Sequence, residues 1–327
     1  MIIMKKLILT LLISSCFTQA IKSNDQKYIT KKDLFKKYVA NTLPGYLFLG
    51  PYSFMYGVSL GGNSIKGGDS PQKANTLWLA TPLMAGFLVN QITKDILKTI
   101  LDRPIQDDKS STFYYNIYYI GPDISTIKNI QFQGINSNWE AQIDEVPSGY
   151  DYPPLGFRTG FVTDRYGMDY EMSLIAHHTI EKNIIYEYNS PGTGIVPLPQ
   201  NIPSHFYMLH SMFMGLNAYY VLPDFILTPY VGFGGGLLLN SVQSEYAGPA
   251  DLAREGGSLA LDEMDWNYGV HSFLGFRYMS DNSFYYLELR PSVNRFKLES
   301  GSSPNKSKDS FNLESFQFQL GIGRNIF

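Results

Sequence analysis

The chain has almost no cysteine: Cys16 is the only one in 327 residues. It lies inside an N-terminal segment with the marks of an export signal. Lys5 and Lys6 form a basic start, Leu7 to Ser14 a short apolar run, and Thr18-Gln19-Ala20 a small-residue cleavage site. Cleavage after Ala20 leaves no thiol, so disulfides and thiolate chemistry are excluded from the mature chain. Cleavage at Cys16, in the context Ile13-Ser14-Ser15-Cys16, would instead make a lipoprotein. Charge is also scarce, at 17%, where soluble domains carry about 25%. No basic excess exists (26 Lys+Arg against 29 Asp+Glu), which argues against nucleic acid as a partner. Mean hydropathy is near neutral at −0.13, which excludes a polytopic helical membrane protein.

Aromatic residues, in contrast, make up 15% of the chain, with 24 Tyr and 21 Phe. A sequence rich in aromatics, poor in charge and near-neutral in hydropathy suits a transmembrane β-barrel, where only alternate strand residues need be apolar. From about residue 112 the pattern supports eight strands, at about 112–122, 153–163, 168–180, 204–221, 225–242, 264–279, 283–296 and 311–327. Three connections are short and rich in turn formers: residues 163–167, 222–224 and 280–282. The other four, at about 123–152, 181–203, 243–263 and 297–310, are long. Short and long alternate, as they do where periplasmic turns oppose extracellular loops.

Within strands the residues sort with a period of two. Trp266, Tyr268, Val270, Leu274, Phe276 and Tyr278 share one face, broken only by Ser272, and Asn267, Gly269, His271 and Arg277 share the other. Period alone does not say which face points inward. Export and loop asymmetry favour apolar residues outward in lipid, and backbone satisfaction in lipid demands that the sheet close. The expected fold is therefore all-β: a closed antiparallel up-and-down transmembrane barrel. On that reading Arg158, Asp169, Glu171, Arg277, Glu288 and Arg290 all face the lumen. Eight strands leave room only for side chains, so the interior should be salt-bridged and closed.

The segment Thr228-Pro229-Tyr230-Val231-Gly232-Phe233-Gly234-Gly235-Gly236 is typical of this pattern, as are the strand and turn of residues 275–282. So is the closing run Phe318 to Phe327. In these residues the chain resembles the small eight-stranded outer-membrane barrels of the OmpA and OmpW type, over about residues 111–327. The resemblance implies residence in a bacterial outer membrane, outer-membrane lipid as surroundings, and engagement of the barrel-insertion machinery by the last strand ending in Phe327. Phe327 is out of phase with Leu320 and Ile322, while Ile326 is in phase.

The expected organisation is a signal peptide at 1–20, an N-terminal region at 21–110 and the barrel at 111–327. Residues 24–37 read as a solvated lead-in. Residues 38–65 are uncharged and dense in Gly, Pro and Tyr, which disfavours a membrane-spanning helix there. Residues 83–101 repeat Met84, Leu88, Ile92, Ile96 and Ile100, and so read as an amphipathic helix near the barrel mouth or at the membrane surface. Two further strands, at about 46–60 and 77–90, would instead make ten.

No catalytic, metal-binding or cofactor-binding residue is assigned, and no cofactor is expected. The five histidines are His177, His178, His205, His210 and His271. Adjacent strand residues point to opposite faces, so His210-Ser211 and His271-Ser272 cannot form dyads within themselves. A lipid hydrolase would need a pair across strands, such as His271 with Ser211. Lys98, Arg103-Pro104 and Pro147-Ser148-Gly149-Tyr150 faintly resemble a lipid-phosphate phosphatase signature, but Tyr150 stands where that family has His. Long loops on a rigid scaffold commonly carry binding. Trp139, Glu140, Asp144 and Glu145, then Glu245, Tyr246, Asp251, Glu255 and Asp262, and finally residues 302–309 are the candidate contacts for an extracellular ligand. The expected role is non-enzymatic, structural or adhesive, with a lipid-modifying hydrolase or a small-solute channel as alternatives.

Overall fold

In the computed structural model the described residues are 28–66, 71–100, 105–106, 112–133, 140–179, 187–190, 194–197, 206–222, 226–245, 262–280, 283–300 and 307–326. The expected signal peptide and Cys16 lie outside them. The chain divides into two compact units at Thr112/Phe113.

The first unit is a helical hairpin. Strand β1 (Ile29–Thr30) pairs in parallel with β2 (Ile105–Gln106), and between them run α1 (Lys31–Lys66) and α2 (Pro71–Ile100). Thr30 caps α1: its Oγ1 accepts from the Asp33 backbone N–H at 3.1 Å and donates to Asp33 Oδ2 at 2.9 Å. Pro71 opens α2, where a missing N–H costs nothing. This overturns two expectations: the polar lead-in already belongs partly to α1, and residues 46–60 and 77–90 are helical, so the ten-stranded alternative fails. The helix expected at 83–101 forms the second half of α2, and residues 38–65 are helical despite Pro44 and Pro51. Local propensity against Gly and Pro yields to packing. Pro82, Gly86, Val89, Asn90 and Thr93 form a buried stripe on α2, and Gly45 lets α1 approach so closely that an added Cβ would meet Val89 at 2.8 Å.

The second unit is a closed antiparallel barrel. Its strands are β3 (Phe113–Ile120), β4 (Asp123–Gln133), β5 (Glu140–Val162), β6 (Tyr166–Thr179), β9 (Phe206–Val221), β10 (Thr228–Glu245), β11 (Asp262–Met279), β12 (Ser283–Ser300) and β13 (Ser307–Asn325). The order β12-β11-β10-β9-β6-β5-β3-β13 closes through β12–β13, and β4 fills the place above β3 between β13 and β5. Eight positions therefore make the barrel. A small separate hairpin of β7 (Glu187–Ser190) and β8 (Gly194–Pro197) sits in the second long connection.

All eight expected strands are present. The first long connection is the exception, because most of it is ladder: β4 and the first half of β5 pair from Ser125↔Ser148 to Gln133↔Glu140. Glu140, Asp144 and Glu145 are thus strand residues, not loop residues. Trp139, Tyr246, Asp251, Glu255 and residues 302–306 lie outside the described residues.

Two short turns are closed by backbone bonds: Thr163 N–H donates to Tyr166 O at 2.8 Å, and Ser280 N–H to Ser283 O at 2.9 Å. The structure also decides which face points inward. Trp266, Tyr268, Val270, Leu274, Phe276 and Tyr278 are each about half exposed, and so are Phe316, Phe318, Leu320 and Ile322. The six expected lumen residues are all inside, none more than 5% exposed. Polar within and apolar without inverts the soluble pattern and matches a barrel in lipid. Tyr166, Tyr220, Tyr278 and Tyr285 ring the short-turn end, and Trp266 and Tyr268 mark the other on β11. From Tyr268 to Tyr278 the strand covers roughly 25 Å along the barrel axis at a tilt of about 40°, the height of an outer-membrane apolar band.

Candidate functional site

The lumen is crossed at mid-height by four charges on three strands: Arg158 of β5, Glu171 of β6, and Glu288 and Arg290 of β12. Register places Arg158 directly opposite Glu171. Arg290 Nη1 donates to both oxygens of Glu171, at 2.7 and 2.8 Å. Arg158 grips Glu288 with two nitrogens, Nη1 at 3.0 Å and Nη2 at 2.7 Å. Arg290 reaches Glu288 through Nε at 2.9 Å and Nη2 at 2.9 Å, and Arg158 Nε lies 3.5 Å from Glu171. Each cation thus meets both carboxylates, the one arrangement in which four buried charges compensate one another.

Neutral groups complete the layer. Tyr230 donates to Glu288 at 3.0 Å, Tyr119 donates to Glu171, and Asn217 Nδ2 donates to Asp169 at 2.6 Å and Glu171 at 2.7 Å. Gln319 Oε1 accepts from Arg158 at 2.5 Å. The Arg158 guanidinium also lies over the rings of Tyr119 and Tyr286, at 5.2 and 5.0 Å. Two of the six expected residues stay out of the ionic layer. Asp169 is held by Asn217 and by Tyr115 at 2.9 Å, and Arg277 lies over Phe284 at 5.9 Å.

Glycines make room for this filling. An added Cβ at Gly156, Gly275 or Gly321 would strike the ring of Tyr119, Tyr230 or Tyr286 within 2.5 Å. Gly234 sits beneath the contact of Asn217 with His271 and would meet both within 2.4 Å. The Gly-rich run of β10 is therefore lumen space, not a phosphate loop.

An open cavity of about 580 Å³ in the barrel wall is lined by lumen-facing His271, Ser292 and Ser315 and outward-facing Ser272, Pro291, Val293 and Phe316. It coincides with a break in the β11–β12 ladder. Pairs run to His271↔Ser292 and resume at Leu274↔Leu289 in the same register, with none between. Pro291 has no N–H to give there.

Register does not bring His271 to Ser211. His271 is level with Gly234 and Asn217, whereas Ser211 pairs with Asn240, six residues farther along β10, about 20 Å away. The serine opposite His271 is Ser292, which bonds Ser315 Oγ at 2.6 Å. Because Asn217 gives both its N–H bonds to carboxylates, its Oδ1 faces His271 Nε2 at 2.7 Å, and the ring donates there. Spacing alone could have suggested His271 with Ser292 only if the β11–β12 register had been known. Tyr150, the residue departing from the phosphatase signature, is a β5 strand residue opposite His177.

No protein-family model matches the chain, and no curated protein is similar to it. Among solved structures it is similar to AlkL, an outer-membrane protein studied in lipid bilayers (12% identity, 68% of this chain and 94% of the other, TM-score 0.40). It is similar also to the outer-membrane protein OprG of Pseudomonas aeruginosa (14%, 65% and 96%, 0.37) and to Neisserial surface protein A (12%, 64% and 96%, 0.31).

Proposed function

We propose that this chain is a non-enzymatic bacterial outer-membrane barrel: a closed anchor in lipid whose working surface is its loop end. The membrane setting is supported by the apolar outer face and its aromatic borders. The absence of transport rests on one observation: Arg158, Glu171, Glu288 and Arg290 fill the lumen with every charge paired. Moving an ion past that layer means separating buried pairs, at several kcal/mol each. Binding then falls to the loops, and β13 is the strand that insertion machinery would engage.

The test is conductance across a planar bilayer. The wild-type protein should stay at background, and the R158A/R290A variant should conduct in discrete steps. Wild-type steps of that size would replace this reading with a channel.

A second reading, a lipid-modifying hydrolase, has one observation in its favour. His271 and Ser292 face the same cavity from neighbouring strands, with Asn217 orienting the imidazole and leaving Nδ1 as its basic nitrogen. Release of fatty acid from phospholipid that is abolished by both Ser292→Ala and His271→Ala would establish it. No release by the wild type would remove it.

A further inference from the structure

We infer that the α1–α2 hairpin is itself seated among the acyl chains of a bilayer, its outward apolar stripes facing lipid tails. This goes beyond the barrel reading and does not depend on it.

Each helix carries a stripe of large apolar residues that no described residue covers. On α1 these are Phe48, Tyr52, Met55 and Tyr56, at helical spacing and 39–56% exposed; on α2 they are Met84, Phe87, Leu88 and Ile92, at 48–57%. The faces turned inward pack Phe54, Val58 and Val89 together with the polar groups of the pair. Asn90 Oδ1 accepts from Tyr38 at 2.5 Å and from Tyr46, Thr42 Oγ1 donates to Tyr38 O at 2.8 Å, and Thr93 and Ser53 are buried. A pair of helices that hides its polar groups between them and shows apolar groups outward has the pattern of a membrane bundle, with small residues at the contact.

Charge and length point the same way. Residues 38–65 and 74–93 contain no charged side chain. At about 1.5 Å per residue they reach about 42 and 30 Å, against a hydrocarbon thickness of about 30 Å. The charges gather where the stretches end. Lys31, Lys32, Lys36 and Lys37 precede the first, Lys94 and Lys98 follow the second, and only Asp33 and Asp95 oppose them there, a cationic end suited to anionic headgroups. A helix lying on the surface would instead show a charged face along its length. Among the described residues no helix is by itself long and apolar enough to cross a membrane. That is compatible with export: each helix passes the inner membrane as a moderately polar segment, and lipid becomes favourable only once pairing has hidden Asn90 and the hydroxyls.

The test uses the full chain in a Cys16→Ser background, with single cysteines carrying a fluorophore at Phe48→Cys and Leu88→Cys. Leu320→Cys on the barrel exterior serves as lipid reference and Asp164→Cys in a short turn as water reference. The protein is placed in phosphatidylethanolamine/phosphatidylglycerol vesicles with doxyl-labelled phosphatidylcholine, or with iodide outside and inside. Labels at 48 and 88 should be quenched by doxyl lipid to within about twofold of the Leu320 label, and by iodide about tenfold less than the Asp164 label. Iodide quenching equal to that at Asp164 puts the hairpin in water and overturns the inference. Resistance to both quenchers overturns it too, because a second copy or another protein then covers the stripes. If the Leu320 label itself escapes lipid, the barrel reading fails, and labels 48 and 88 still decide the hairpin. Should either variant fail to fold, Met55→Cys and Ile92→Cys probe the same two stripes.

Discussion

Arg290 shows how much one side chain carries. It donates to Glu171 through Nη1 and to Glu288 through Nε, with Nη2 2.9 Å from the same Glu288 oxygen as an ion pair, so removing it leaves two buried carboxylates short of donors. The Arg290→Ala variant should lose about 3–5 kcal/mol of stability, read as a fall in the urea midpoint of unfolding in detergent. Arg277→Ala is the control. Arg277 is buried but reaches no carboxylate among the described residues, so its loss should shift the midpoint less than half as far. Equal shifts would mean that the ionic layer is not a mutually dependent set. The sequence showed that all six charges share a face; it did not show which ones meet. Asp169 and Arg277 lie on the same face by parity, yet only register decides that Arg158 stands opposite Glu171 while Asp169 stands opposite Gly160.

At the scale of elements, strands and helices differed in how readily they could be read. Strands of the barrel announce themselves because each is solvated differently on its two sides, which writes a period of two into residues such as Phe316, Phe318, Leu320 and Ile322. Where that contrast weakens the reading fails: β4 and the first half of β5 carry Pro147, Gly149 and polar residues, and they look like loop. Of the two helices, α2 is legible over 83–101 from its four-residue apolar repeat, whereas the Gly- and Pro-dense residues 38–65 of α1 show no such repeat, and its partner helix, with Asn90 between two tyrosines, compensates. That contact is testable by itself. Asn90→Leu strips Tyr38 and Tyr46 of their shared acceptor, costing about 1–3 kcal/mol. It should speed tryptic cleavage at Lys94 and Lys98 by roughly an order of magnitude while leaving the barrel intact. Unchanged cleavage would show that the hairpin does not rest on Asn90.

For the whole molecule, closure is the property that matters. Every strand of the barrel has two neighbours, β12 and β13 completing the circle along Ser283↔Arg324 to Ser300↔Ser307. No edge remains from which detergent can unzip the sheet. The protein extracted from membranes should therefore run faster on SDS gels unboiled than boiled, and a single mobility would contradict the closed fold. The same closure turns a face of mixed charges into a sealed core.

The amino-acid sequence by itself determined the chemistry of the two barrel faces and the central parts of eight strands. Those are local consequences of a chain that must satisfy lipid on one side. Tertiary structure alone decided that Arg158, Arg290, Glu171 and Glu288 form one paired layer, that Ser292 rather than Ser211 stands beside His271, and that residues 38–65 are helical. Each of these depends on which residues distant in the chain lie level with one another, and a two-residue period carries no information about register.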